Sequence, residues 1–208
     1  RVRSVLQAVS AHCRSSPALG RVASASQLDG GCGGGLAFRL QLRGAKDDLF
    51  AKIILSSSSK GTLQPALERP AESGGGADAR EPAVEQVEAE QAGLVALASM
   101  CEAEDIGDNM IFDVPVPLGV CRCPGAGAAL LLPWLALHRP ESLEAHGAAV
   151  GTLHRRSRGR SEAYGFTCTT FCGRWRQANA WSHDWVAFFL LQRLQPLLRA
   201  AVAAGTVG

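Results

Sequence analysis

The sequence predicts an α+β fold in which a mostly antiparallel sheet with one helix is followed by a helical region. Apolar and polar side chains alternate over residues 36–42 and again over 49–55, which is typical of a hairpin. Residues 81–101 repeat apolar side chains every three or four positions, as an amphipathic helix does. With 208 residues, of which 47% are hydrophobic and 19% charged, the chain is long enough to bury a core.

Bulk composition excludes several classes of partner. A formal net charge of +2 gives no field strong enough to predict nucleic-acid binding. No apolar run approaches the ~18 residues needed to cross a bilayer, so no membrane is expected. Seven cysteines, an odd number without the spacing of a familiar zinc site, favour reduced thiols in an intracellular protein and no metal centre.

The first 28 residues allow two interpretations. They are rich in arginine and serine and contain no acidic residue, which is the composition of an organellar transit peptide. Alternatively, residues 5–13 form a short helix and a first strand lies near Val22, and the helical spacing of Val5, Leu6 and Val9 favours this second interpretation. The expected compartment is the cytoplasm, with a plastid as the alternative.

The central region contains an insertion, a helix and two strands. Residues 56–80 hold four consecutive serines, two prolines and a glycine triplet, which predicts a disordered insertion. In the helix over 81–101 the predicted buried stripe also contains Glu90, and its apolar members are Val87, Leu94, Leu97 and Cys101. Alternation over 114–120 predicts one strand, and the apolar run 128–132 predicts a second, buried on both faces and ended by Pro133.

Two further helices are predicted after this strand. Ser142 is suited to cap a helix that runs through His154, with Arg155 and Arg156 at its negative end. Ser182 is predicted to cap the last helix, because serine side chains accept hydrogen bonds from the first free amides. The broad apolar face of that helix consists of Trp185, Phe188, Phe189, Leu194, Leu197 and Leu198.

A glycine-rich run and a lysine within a strand suggest phosphate chemistry. The run over residues 29–35 directly precedes a strand, where glycines let backbone amides approach phosphate oxygens, although most such runs are only turns. Lys52 lies inside an apolar strand, where its charge needs a partner, and Glu90 is the natural candidate. Kinases use a strand lysine and a helix glutamate to hold the α- and β-phosphates of ATP. Two solvated charges at element edges are the alternative.

The strongest signal is a long ordered series in the last third of the chain. Its members are Gly165-Phe166, Thr169-Thr170, Cys172-Gly173, Gln177, Asn179, Trp181, Asp184-Trp185, Phe188-Phe189, Arg193 and Pro196. The series resembles that of the fructosamine/ketosamine-3-kinase family. Upstream, Leu49-Phe50-Ala51-Lys52 and Val87-Glu88-Ala89-Glu90 are similar to the strand and helix of the same family, so that the resemblance runs from about residue 21 to residue 200.

The resemblance implies a protein-kinase-like fold and a kinase that uses ATP and Mg²⁺ to phosphorylate the O3 hydroxyl of ketosamines. These are small ketosamines or the fructosamine and ribulosamine adducts on glycated protein lysines. The residues implied to contact the nucleotide are Gly30, Gly31, Lys52, Glu90, Leu132, Trp134 and Leu135. Those implied on the substrate side are Asn179, Trp181 and Asp184, the last of which also suits the positive end of a helix dipole.

The resemblance also implies a boundary between lobes and a possible link between chains. Residues 1–132 correspond to a small nucleotide-binding lobe, and residues 133–208 to a hinge and part of a helical lobe. Cys32 in the glycine run matches a cysteine of some family members, which implies either a redox-linked homodimer or an unreactive residue in a turn.

Two departures from the family pattern bear on activity. Pro133 stands where the family has Glu and lacks an N–H, which leaves the adenine contact open. No residue up to Gly208 matches the family's His-Gly-Asp segment or its later metal-binding Asp, so no catalytic residue and no metal ligand is assigned within this chain. The expectation is therefore a kinase that is inactive as this chain alone, or a protein that binds nucleotide or glycated protein without catalysis.

Overall fold

The computed structural model describes residues 1–29, 35–56, 81–101, 114–137, 142–158, 161–173 and 175–206. By their internal contacts, these residues form two units, the first made of 1–56 with 81–161 and the second of the residues from 162 onward. The predicted insertion over 56–80, apart from Ser56, and the nucleotide-loop residues Gly30, Gly31 and Cys32 lie outside the described residues. The lobe boundary after residue 132 stays a prediction.

The first unit contains an antiparallel sheet with one helix on each face, and a third helix that contacts one of these two. Its helices are α1 (Val2–Ser15), α2 (Pro82–Cys101) and α3 (Leu143–Ser157), and its strands are β1 (Arg21–Leu28), β2 (Leu36–Arg43), β3 (Leu49–Leu55), β4 (Gly119–Cys123) and β5 (Gly127–Pro133). The strand order is β1-β2-β3-β5-β4, and every neighbouring pair is antiparallel. The hairpin predicted from alternation is confirmed as β2 and β3.

Alternation along β3 divides the core into two clusters. Leu49, Ala51 and Ile53 face α1, whose buried residues are Val5, Val9 and Cys13. Phe50 and Ile54 face the other way, toward α2, together with Leu130 and Leu132 of β5. We call these two sides of the sheet the α1 face and the α2 face. The helical interpretation of residues 5–13 is therefore confirmed, because α1 contributes directly to the core.

Backbone geometry at Gly127 explains why β5 begins with glycine. Its φ is +144°, and a Cβ built there would lie 2.2 Å from the backbone oxygen of Ile54. Only a residue without a side chain allows β5 to approach β3 so closely at this point. Gly127 pairs with Leu55 and so fixes where the β3–β5 ladder starts.

Two details of the first unit differ from the sequence expectations. Residues 114–118 are not in a strand, since β4 begins only at Gly119, and Val116 and Leu118 are exposed. Leu97 of α2 is also exposed, while the small residues Ala83 and Ala98 are buried instead. The apolar stripe of α2 is thus narrower toward its C-terminus than its periodicity predicts. The cap of α3 is confirmed, because Ser142 Oγ accepts a hydrogen bond from Ala145 N.

Two buried thiols lie in the cluster on the α1 face. Burial raises the pKa of Cys13, and it raises the pKa of Cys121 to about 12, with the nearby Cys13 adding to the shift. Both thiols therefore stay protonated and unreactive at neutral pH. Cys101, Cys123 and Cys172 are also free thiols, and Cys172 is exposed.

The second unit combines a short hairpin with a long helical segment. The hairpin consists of β6 (Thr170–Cys172) and β7 (Trp175–Gln177), and the helical segment of α4 (Trp185–Phe189), a π-helical turn (Leu190–Leu194) and α5 (Gln195–Ala203). Pro196 removes the N–H that would bond to Gln192 O, and the Arg193 guanidinium donates to this carbonyl instead. By length and composition alone, Trp185–Ala203 is long and apolar enough to cross a bilayer, which is weak evidence because core helices pass the same test.

The cap of this helical segment is Asp184 and not Ser182 as predicted. One Asp184 carboxylate oxygen accepts hydrogen bonds from Val186 N at 2.8 Å and Ala187 N at 3.3 Å. Ser182 exchanges hydrogen bonds with the backbone of Asp184 and so fixes the turn before the helix. A carboxylate beside the first free amides also stabilises the positive end of the helix dipole, as the sequence analysis expects of Asp184.

Candidate functional site

The centre of the candidate site is an ion pair between β3 and α2. Lys52 Nζ donates to Glu90 Oε2 at 2.6 Å, and the two side chains are 24% and 33% exposed. Lys52 faces α2 because it lies between Phe50 and Ile54 in the alternation of β3. The pairing expected from sequence is thus present, and the alternative of two separately solvated charges is wrong.

The position of Glu90 follows from how α2 is held against the sheet. Val87 and Ala83 of α2 are buried in the cluster on the α2 face. At a second point Arg122 of β4 forms an ion pair with Glu88, and its Nε donates to the carboxylate at 2.9 Å. With apolar burial and a second ion pair to a different strand, α2 has little freedom to rotate Glu90 away from Lys52.

Cross-strand register places a set of small and apolar side chains beside Lys52. Ala37 of β2 and Leu130 of β5 pair with Lys52 on its two sides, and the next row on the same face is Arg39, Phe50 and Leu132. The α2 face therefore carries the Lys52 cation beside the apolar side chains of Phe50 and Leu132 in the next row. Phe50 is a site residue that was not predicted. The signal was present in the sequence, because residues two apart in a strand point to the same face and Phe50 precedes Lys52 by two.

Gly35, the last residue of the glycine run, lies next to the Lys52 side chain. A Cβ built on Gly35 would lie 3.2 Å from Lys52 Cε and 2.9 Å from Ile54 Cδ1. Gly35 therefore leaves room around the lysine side chain that any other residue would fill. The predicted phosphate contacts Gly30 and Gly31 lie outside the described residues and stay predictions.

The segment after β5 is held by Asp48, in the turn before β3, and by Arg39. Trp134 N donates to Asp48 O at 3.1 Å, and the Arg39 guanidinium lies 4.5 Å from the centre of the Trp134 ring. Arg39 also forms an ion pair with Asp48 at 2.6 Å. Leu132 is buried at the end of the β3–β5 ladder, whereas Leu135 is 40% exposed. Arg39 and Asp48 were not predicted as site residues, since no local pattern in the sequence relates them to Trp134.

Pro133 costs the sheet no hydrogen bond. Leu131 O accepts from Leu118 N on the β4 side and Trp134 N donates to the β3 side, so the alternation of β5 turns Pro133 away from β3. On that side β4 pairs no further along β5 than Leu131. A missing donor at this position is therefore tolerated, and the carbonyl of Pro133 is retained.

In the second unit, Asn179 has its side chain committed to internal hydrogen bonds. It is only 7% exposed, and its amide nitrogen donates to Cys168 O at 2.7 Å and to Thr170 Oγ1 at 2.9 Å. Its amide oxygen accepts from the guanidinium of Arg193, whose pKa is lowered by burial. Asn179 therefore joins the hairpin to the helical segment, and contact with a substrate stays a prediction.

Trp181 differs from Asn179 in being accessible. It is 55% exposed, and a Cβ on Gly165 would lie 2.7 Å from its ring atom Cε3, so the ring packs directly on the backbone of Gly165. This contact explains the glycine in the Gly165-Phe166 pair of the motif. Asp184, the third residue predicted on the substrate side, caps the helix.

Comparison with known proteins identifies the family. The family model described as fructosamine kinase matches residues 81–207, more than half of the chain. Ketosamine-3-kinase of Mus musculus is 28% identical in an alignment 109 residues long that covers 40% of this chain and 34% of the mouse protein. This chain thus spans about a third of that relative.

Two solved structures, both assigned as fructosamine-3-kinases, share the fold. The structure from Thermobifida fusca matches with a TM-score of 0.61 and 20% identity over 96% of this chain and 56% of its own. The structure from Haemophilus somnus matches with a TM-score of 0.67 and 14% identity over 99% of this chain and 57% of its own. The fold is therefore the protein-kinase-like one of these enzymes, and the chain belongs to the fructosamine kinase family.

Proposed function

We propose that this chain binds ATP on the α2 face of its sheet and serves the phosphorylation of ketosamines at the sugar O3 hydroxyl. The observation that carries the proposal is the Lys52–Glu90 ion pair at 2.6 Å. A lysine fixed in this way presents its ammonium group to the α- and β-phosphates in kinases. The substrates would be fructosamine or ribulosamine adducts on protein lysines, or small ketosamines.

The residues around Lys52 fit a nucleotide triphosphate. Gly35 leaves the space beside the lysine that a phosphate chain requires, since a Cβ there would contact Lys52 Cε. Phe50 and Leu132 supply an apolar surface on the same face, suited to one side of a purine ring. Glu90 holds the ammonium group in place. Bound ATP would supply the phosphoryl group that is transferred.

Mg²⁺ is proposed to arrive with the triphosphate. The described ranges contain no group of three or more His, Cys, Asp or Glu side chains that could hold a metal ion, and none of their residues is assigned to it. The redox-linked dimer through Cys32 stays a prediction, because this cysteine lies outside the described residues.

Calorimetric titration of ATP with Mg²⁺ into the protein and its variants tests the proposal. Lys52→Ala should weaken ATP binding by about 10- to 100-fold, which corresponds to the loss of one charged contact. Glu90→Gln should have a smaller effect in the same direction, because the lysine remains but is less well held. Lys46→Ala, in the exposed β2–β3 turn, is the matched control and should bind like the unmodified protein.

A phosphorylation assay on a fructosamine and a ribulosamine adduct accompanies the titration. Turnover that Lys52→Ala abolishes would show that this chain is a ketosamine kinase by itself. ATP binding that Lys52→Ala weakens, without turnover, is expected both of a kinase that is inactive as this chain alone and of a non-catalytic nucleotide-binding protein. Absence of ATP binding in the unmodified protein would refute both.

A further inference from the structure

Three side chains from separate parts of the first unit meet at one end of the α2 face. Arg39 comes from β2, Asp48 from the turn before β3, and Trp134 from the segment after β5. The guanidinium of Arg39 donates from Nε to Asp48 Oδ2 at 2.6 Å and lies 4.5 Å from the centre of the Trp134 ring. We call this arrangement the Trp134 clamp.

The clamp is closed by the backbone as well as by side chains. Trp134 N donates to Asp48 O at 3.1 Å, so Asp48 binds Trp134 through its main chain and Arg39 through its carboxylate. The Asp48 side chain is 19% exposed, which protects the ion pair from part of the screening by solvent. Planar guanidinium groups stack on indole rings as well as pairing with carboxylates, and a lysine does not reproduce both contacts.

Register places the clamp at a defined distance from Lys52. Arg39 pairs with Phe50, two residues before Lys52, and Trp134 N bonds to Asp48, four residues before Lys52 in the chain and just ahead of β3. At about 3.4 Å per residue the clamp therefore extends from about 7 to about 14 Å from the lysine row. Phe50 and Leu132 lie in the same row as Arg39, next to the lysine row. With phosphates at Lys52, a nucleotide extended along this face would bring its base to the clamp.

Few backbone N–H groups are available to a ligand between Pro133 and Leu135. Pro133 has no N–H, and the N–H of Trp134 is already bonded to Asp48. The next donor along the chain is the N–H of Leu135, whose position depends on how Trp134 is held. Small displacements of such a donor weaken a hydrogen bond steeply.

We propose that Arg39 is a positioning residue for the base of the nucleotide, acting through Trp134 and Asp48 on the backbone around Leu135. This inference rests on the proposed function, since it requires that a nucleotide occupies the α2 face. It assigns base recognition to the clamp and phosphate recognition to Lys52. The two ends of the ligand then respond to different substitutions.

Calorimetry with two ligands, ATP and inorganic tripolyphosphate, each with Mg²⁺, tests the inference. Arg39→Ala should weaken ATP binding by about five- to tenfold and leave tripolyphosphate binding within about twofold, because tripolyphosphate has no base. Lys52→Ala should weaken both ligands. Arg39→Lys keeps the charge but not the planar stack, and should resemble Arg39→Ala.

Arg43→Ala is the matched control, since Arg43 is exposed and lies four residues after Arg39 on the same face of β2. It should change neither affinity. Thermal unfolding of each variant identifies those that fail to fold, and Asp48→Asn, which keeps the shape of the side chain, provides an independent break of the clamp. Like Arg39→Ala, Asp48→Asn should weaken ATP more than tripolyphosphate.

Equal weakening of ATP and tripolyphosphate in Arg39→Ala, or ATP affinity that is insensitive to both Arg39 and Asp48, would overturn the clamp as a positioning device. In those cases the proposed function survives if Lys52→Ala still weakens ATP. If the unmodified protein did not bind ATP at all, the proposed function itself would be refuted, and this inference with it.

Discussion

Replacing Asn179 by alanine should destabilise the second unit strongly. The substitution removes two neutral hydrogen bonds, to Cys168 O and Thr170 Oγ1, and one to the guanidinium of Arg193. Neutral bonds contribute about 1 kcal/mol each and bonds to charged groups about 1.5–3 kcal/mol, which sums to about 4 kcal/mol. Water entering the vacated space recovers part of this, so a loss of about 3 kcal/mol is expected, a large share of the about 5–15 kcal/mol of a typical domain.

The measurement is urea unfolding followed by tryptophan fluorescence. Three of the four tryptophans, at 175, 181 and 185, lie in the second unit, so the signal reports mainly on that unit. Gln195→Ala, exposed on the helical segment, is the matched control and should change the free energy of unfolding by less than about 0.5 kcal/mol. Asn179→Asp keeps an acceptor for Arg193 but loses both donors, and should fall between the alanine variant and the unmodified protein.

A double-mutant cycle with Arg193→Met isolates the charged bond. Because the two residues share a bond, their effects on the free energy of unfolding should be non-additive by about 1–3 kcal/mol. An Asn179→Ala protein as stable as the Gln195→Ala control would refute the structural role of Asn179. If that protein also lost turnover of a ketosamine, the substrate-side prediction would be favoured instead.

Three further predictions concern local geometry. Gly127→Ala should destabilise the first unit by about 2 kcal/mol or more in thermal unfolding, because the added Cβ would lie 2.2 Å from Ile54 O. Gly93→Ala should instead stabilise this unit by about 0.5–1 kcal/mol, because Gly93 lies in a helix and a Cβ added there would meet no neighbouring atom within 4 Å. Asp184→Ala should cost the second unit about 1 kcal/mol in urea unfolding through loss of the helix cap, and Asp184→Asn much less; equal stability of the two would argue against the cap. The folded pKa of Cys121, about 12, lies above the ordinary 9.0 of a thiol, so its contribution to stability is full below pH about 9 and is lost as the pH rises toward 12. A Cys121→Ala protein should lose less stability over that range, and iodoacetamide should label Cys172 before Cys13 or Cys121 in the native protein.

Sequence alone predicts the parts of the fold that local periodicity determines. The alternation of β2 and β3 and the helical stripe of α2 each require only a few neighbouring residues. The Lys52–Glu90 pair could be predicted because a charge inside an apolar strand must be compensated, and α2 offers Glu90 on its buried side. In each case a local pattern and a burial cost lead to the same structure.

Other features depend on partners distant in the chain. Residues 114–118 alternate like a strand, yet the ladder with β5 ends at the pair of Gly119 and Leu131. In the same register Pro117 would lie opposite Pro133, and neither proline has an N–H to donate to a ladder. The Trp134 clamp joins residues about 90 positions apart, and no spacing rule connects Arg39 or Asp48 with an indole after β5. Ser182 and Asp184 are both good capping residues, and the choice between them depends on the turn in which Ser182 binds the backbone of Asp184.

The two-sided alternation of β3 has a consequence for how this strand tolerates variation. Side chains at 49, 51 and 53 pack against the α1 face, so substitutions there should reduce the amount of folded protein in cells. Side chains at 50 and 52 line the α2 face, so substitutions there should, under the proposed function, leave abundance nearly intact and reduce ligand affinity. A saturation library of this strand, scored separately for abundance and for nucleotide binding, should therefore give two profiles of period two that are offset by a single residue.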